Sequence, residues 1–282
     1  MKADKKPSGI RHKIRPDKKR RKRIGAAALI GVIFAILLIN SILNQPSTSQ
    51  PVGSNFQPEA AIVGQLSLTF PNQTFIQTVT AILEQAGYSV DYYPGENVTV
   101  EFYRNLPEHG YKIVILREHS ALGSNLARPL ALFTSEPYST AKYVYEQLAD
   151  QFVKVVYDAN DSNSPAYFGV WPEFITNSMK GRFQKSVIFL MGCNGLTYND
   201  TAKAFVDRGA EACIGWFGPV QASHTDEATA NLLQHLLVEK RELKESVQET
   251  FQEVGPDPAY DSLLIYYPAD AGQQTIENIG KS

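Results

Sequence analysis

Two apolar runs in this chain end in the side chains that thiol chemistry needs. Tyr111-Lys-Ile-Val-Ile-Leu-Arg-Glu-His119-Ser120 delivers an imidazole, and Ser186-Val-Ile-Phe-Leu-Met-Gly192-Cys193-Asn-Gly195 delivers a thiol. An imidazole within about 3 to 4 Å of a cysteine sulfur takes or shares its proton, and the thiolate is the strong nucleophile. The reaction open to such a pair is acyl transfer through a thioester, followed by hydrolysis. Other signatures are missing: there is no Gly-x-Ser-x-Gly elbow, no Gly-x-Gly-x-x-Gly, no Walker loop and no His-Glu-x-x-His. The five histidines stand apart from any acidic or thiol cluster, so no metal and no cofactor are expected.

The elements that would position the pair are short, β-branched and aliphatic, and read as buried strands. As parallel neighbours they would bring His119 and Cys193 to the same carboxyl-end rim, where open α/β sheets place ligands. The pattern around them alternates. Strands are expected over residues 60–68, 89–93, 111–116, 128–133, 153–157, 166–171, 186–191, 212–217 and 262–267. Helices are expected over 72–86, 140–152, 197–208, 223–240 and 242–253. This predicts an α/β domain whose mainly parallel sheet is covered by helices on both faces.

The chain has 282 residues, 43% of them hydrophobic, enough for one substantial core with a tail. Its net charge of −2 hides an asymmetry: residues 1–23 hold twelve Lys or Arg against two Asp, net +10, leaving −12 for the rest. Residues 24–43, IGAAALIGVIFAILLINSIL, carry no charge, and at about 1.5 Å per residue they span roughly 30 Å, a bilayer core. A cleaved signal peptide would have a shorter apolar region and a small-residue cleavage site. The expected organisation is therefore a basic cytoplasmic tail (1–23), a transmembrane helix in contact with lipid (24–43), a Ser/Pro/Gln-rich linker (44–58) and an extracytoplasmic domain (59–282). A basic run touching a membrane segment is explained by topology and anionic lipid, so no nucleic-acid partner is expected. Four sequons, at Asn72, Asn97, Asn160 and Asn199, agree with export.

The order and spacing of residues 111–237 resemble the caspase-like fold, especially its CHAT, gingipain and clostripain branches. The residues that carry the resemblance are His119-Ser120-Ala-Leu-Gly123, Gly192-Cys193-Asn-Gly195, Arg208-Gly-Ala, Gly215-Trp216-Phe217 and Pro219-Val-Gln-Ala-Ser-His224-Thr-Asp226-Glu-Ala-Thr. The resemblance implies a Cys193–His119 dyad acting on a peptide or protein substrate. It also implies oxyanion donors from the Cys193 amide and from Ser120 to Gly123, with Gly192 and Gly195 leaving room for substrate backbone. A helix starting just after Cys193 would add positive potential.

Further residues are expected near the crevice. Glu118 could orient the imidazole or repel an acidic substrate residue. Trp216 and Phe217 could floor a side-chain pocket, His224 is the rival base, and Asp226 could bind a basic residue or complement a helix dipole. His109 precedes its strand and should lie at the opposite rim. Cys213 sits within its strand while Cys193 lies past the end of its own, an offset near 10 Å that forbids a disulfide. A singly placed Cys is more often a small buried hydrophobe than a nucleophile. Two other readings therefore stand beside the peptidase: an inactive ectodomain that recognises a peptide or ligand, and a surface scaffold.

Overall fold

The computed structural model describes residues 59–123 and 129–279. The expected tail, transmembrane helix and linker fall outside them. No helix among the described residues is long and apolar enough to cross a membrane.

The domain is α/β, built on a six-stranded, mostly parallel sheet. Its strands are β1 (Glu59–Gly64), β2 (Ser89–Pro94), β3 (Ile113–Leu116), β8 (Val187–Leu190), β9 (Ala212–Phe217) and β10 (Leu263–Tyr267), in the order β10-β9-β8-β3-β1-β2. Only β10 runs antiparallel to its neighbour. β3 and β8 are adjacent and parallel, with Leu116 opposite Leu190. Both strands are fully buried, so side chains alternate between two cores rather than between core and water.

On one face Ile113, Ile115, Val187 and Phe189 meet α1 (Gln73–Gln85), α6 (Ala222–Leu233) and α7 (Leu243–Glu253) through Phe75, Val79, Leu232 and Val247. Val114, Leu116, Ile188 and Leu190 face α2 (Val100–Asn105), α4 (Pro172–Asn177) and α5 (Asp200–Asp207) through Tyr103, Phe174 and Phe205. α6 continues as a π-helical turn, Gln234–Val238.

Between β3 and β8 the chain leaves the main sheet, and here it departs from expectation. β4 (Ser120–Leu122), β5 (Leu130–Pro137), β6 (Phe152–Val156) and β7 (Ala166–Val170) form a separate antiparallel sheet in the order β4-β5-β7-β6. The helix expected over 140–152 shrinks to α3 (Val144–Leu148), which buries none of its residues. The chain turns at Asp150, whose φ is 54°, so that Phe152 can pair with Val170 and enter the core. The first strand also ends early. After Gly64 a 3-10 turn, Gln65–Leu68, folds over the sheet's end, with the Leu66 amide bonded to the Arg117 carbonyl. Both cysteines are free, and Cys213 is opposite Ile188, deep in its strand.

Candidate active site

His119 lies three residues beyond Leu116 and Cys193 three residues beyond Leu190, and those two leucines are register partners. Equal overhangs from paired strands bring both residues into one cleft of about 440 Å³. Its other walls come from the turn after β1 (Leu66, Phe70), from Met191 and Gly192, from the entry to α6 (Val220 to Ser223, Thr225), and from Tyr260. The cleft thus sits at the carboxyl ends of the parallel strands, beside the point where the strand order switches from β1 to β3.

The two reactive groups share the cleft without a hydrogen bond between them. The Cys193 sulfur accepts from the Val220 amide and faces the Val220 carbonyl, each at 3.5 Å. The His119 Nε2 lies 2.7 Å from Thr69 Oγ1, and that hydroxyl is 3.3 Å from the Leu66 carbonyl. A threonine hydroxyl has one proton: given to Nε2 it fixes the Nδ1–H tautomer, and given to Leu66 it leaves the oxygen to accept from Nε2–H, the tautomer in which Nδ1 is the basic nitrogen. No hydrogen bond to Nδ1 is made among the described residues. The His119 amide is anchored to Oε1 of the buried Gln65, whose Nε2 donates to Tyr157. Burial and then the nearby Arg117 guanidinium push the imidazole pKa down to about 4, so the ring is neutral across the physiological range.

Gly192 lines the cleft, and both glycines are also required by the protein's own packing. A Cβ at Gly192 would collide with Ser120 Oγ and come within 2.6 Å of the Glu118 carbonyl; one at Gly195 would meet the Leu190 carbonyl at 2.9 Å. The closeness at Gly192 belongs to a staple: Ser120 Oγ donates to the Cys193 carbonyl at 2.7 Å, tying the β3 exit to the β8 exit. Neither Ser120 nor Gly123 lines the cleft, because the segment expected to be a loop runs away as β4.

The Cys193 amide has no acceptor among the described residues. α5 begins only at Asp200, seven residues after Cys193 and outside the cleft lining; the helix that opens into the cleft is α6, whose Ala222, Ser223 and His224 amides have no acceptor among the described residues.

Of the five residues expected in the pocket, Glu118 lines the cleft, and Trp216, Phe217, His224 and Asp226 do not. The Glu118 carboxyl is nonetheless buried and accepts a short hydrogen bond from Tyr103. Burial lifts its pKa to about 8. Trp216 is buried, with its indole N–H donated to Thr225, and His224 packs on it at 5.2 Å outside the cleft, which removes the rival base. Phe217 is half exposed beyond the cleft lining. Asp226 is occupied: Arg117 grips it with two bonds, 2.7 Å from Nε and 2.8 Å from Nη2, and Asn72 adds a third at 2.8 Å.

Asn72 also caps α1 through the Phe75 amide, so both ends of that sequon's amide are engaged in the fold. His109 stacks on Tyr111 ahead of β3, at the far rim as expected.

Arg117 is the residue that sequence reading passed over. Its signal was present, since a guanidinium inside an otherwise apolar run requires a buried anion. Gln65 was hidden because residues 60–68 read as one strand, and Thr69 and Phe70 because they fall between that strand and the helix expected from residue 72. Among the described residues no group of three or more His, Cys, Asp or Glu could hold a metal ion. The chain matches no protein-family model and no curated protein.

Proposed function

We propose that this chain is a cysteine peptidase of caspase-like fold, anchored in a membrane through residues 24–43 with its α/β domain on the extracytoplasmic side. The observation that carries the reading is the pair of equal overhangs, which leaves His119 and Cys193 in one cleft above neighbouring parallel strands. In the reaction the Cys193 sulfur attacks the substrate carbonyl, forming a C–S bond as its proton passes to Nδ1 of His119. The imidazolium then protonates the leaving amine as the C–N bond breaks. Water, deprotonated by the same imidazole, hydrolyses the thioester to an acid and restores the thiol. The unpaired Cys193 amide and the opening amides of α6 are the available oxyanion donors.

A second reading, an inactive cleft that binds a peptide at the cell surface, is favoured by one feature. The imidazole and the sulfur are each already held, by Thr69 and by Val220. Closing the dyad requires one of them to leave that partner when substrate enters, and catalytic hydrogen bonds commonly form only in the substrate complex.

The test treats the full chain, purified in a mild detergent, with a peptidyl acyloxymethyl ketone and maps the adduct. The expected result is a thioether on Cys193, absent in Cys193→Ala and formed about 100-fold or more slowly in His119→Ala. Because a neutral imidazole is the working base, the rate should hold down to about pH 5 and fall near pH 4. Equal labelling of wild type and Cys193→Ala would reject the peptidase. Simple alkylation of Cys193 that ignores His119 would leave the binding cleft.

A further inference from the structure

We infer that the cleft accepts peptides carrying an uncharged, apolar side chain, of the size of leucine, methionine or phenylalanine, beside the attacked carbonyl. The inference rests on the peptidase reading and concerns its specificity.

Charge recognition needs a free counter-charge, and among the described residues the cleft offers none. Three ionisable side chains lie near the histidine, and all three are committed elsewhere. Arg117 and Asp226 neutralise each other through paired hydrogen bonds, with 1% and 6% of their side chains exposed. Glu118 lines the cleft, but its carboxyl is buried and bonded to Tyr103 rather than open to a guest. An arginine or aspartate entering the cleft would lose water and gain no ionic partner.

The walls favour the opposite kind of guest. Leu66, Met191, Val220 and Ala222 supply aliphatic and thioether surface near the sulfur. Phe70 and Tyr260 flank the space and are 53% and 55% exposed, which leaves aromatic surface at its mouth for an apolar guest to cover. The volume of about 440 Å³ admits one such side chain with its flanking backbone. The polar groups that remain, Gln221, Ser223 and the free α6 amides, suit the peptide backbone rather than a charged side chain.

The experiment uses four acyloxymethyl ketone dipeptides that differ only in the residue next to the ketone: Leu, Phe, Arg or Asp. Each is reacted with the full chain in detergent, and the rate of thioether formation at Cys193 is followed by mass spectrometry, with Cys193→Ala as control. The Leu and Phe probes are expected to react at least about tenfold faster than the Arg and Asp probes. Fastest labelling by the Arg or the Asp probe would overturn the specificity and leave the peptidase standing. No adduct on Cys193 from any of the four would overturn both.

Discussion

Replacing Arg117 by methionine is expected to cost about 3–5 kcal/mol of folding stability, the usual penalty for stranding one half of a buried ion pair. Among the described residues Asp226 would keep Asn72 as its hydrogen-bond partner, with its charge still enclosed. Arg117 also donates to the Phe70 carbonyl at 2.9 Å and lies 5.4 Å from the centre of the Phe75 ring, so its loss loosens the turn that carries Thr69 and Phe70. The double variant Arg117→Met/Asp226→Leu removes both charges and should recover most of the loss, because a well-packed apolar pair often matches a buried ionic one. Urea denaturation of the four forms in a double-mutant cycle measures this. Additive losses in the double variant would show that the two charges do not depend on each other.

The same pair explains how the cleft is held. Arg117 belongs to the β3 exit, Asp226 to α6, and Asn72 and Phe70 to the segment entering α1. Three of the segments that wall the cleft therefore meet at one guanidinium, two residues before the histidine. Its charge also helps to keep the imidazole neutral, second only to burial. Removing Arg117 should thus raise the pKa of His119 even in the compensated double variant.

How much of this was legible depended on whether the signal was local. β3, β8 and β9 are short runs of aliphatic residues, and the helices over 72–86 and 242–253 carry apolar stripes, so both kinds of element announce themselves along the chain. The common rim for His119 and Cys193 followed from those strands being parallel neighbours. The second sheet was invisible as a sheet, because Ser120–Leu122 is three residues long and its pairing with Leu130–Leu132 is a tertiary event. The polar groups of residues 118, 224 and 226 were misplaced for a related reason. Sequence gives the rim on which a side chain stands, whereas the partner that turns it inward, Tyr103, Trp216 or Arg117, lies on another element.

Glu118→Gln is expected to make the domain more stable than wild type by about 3 kcal/mol at pH 9, and by far less at pH 5. The sign follows from the raised pKa. An unfolded glutamate ionises near pH 4.5, whereas the folded one holds its proton to about pH 8. The stability it contributes is complete below pH 4.5 and drains away as pH rises to about 8, since only the unfolded chain gains from ionising. Above pH 8 both states are charged and the loss is constant. Glutamine can still accept from Tyr103 but has no proton to lose, so it escapes this slope.

His119 tilts the other way. With a folded pKa of about 4, it contributes stability above pH 6.5 that is lost as pH falls toward 4. That slope is common to both proteins and cancels when they are compared. The unpaired Glu118 Oε1, buried without a partner, gives the ionised form little to lean on and keeps the expected difference large. Urea midpoints of wild type and Glu118→Gln between pH 5 and 9 read the effect directly. A difference that stays flat across that range would mean that Glu118 is ionised in the folded protein at neutral pH, held by solvent or by a rearranged Tyr103.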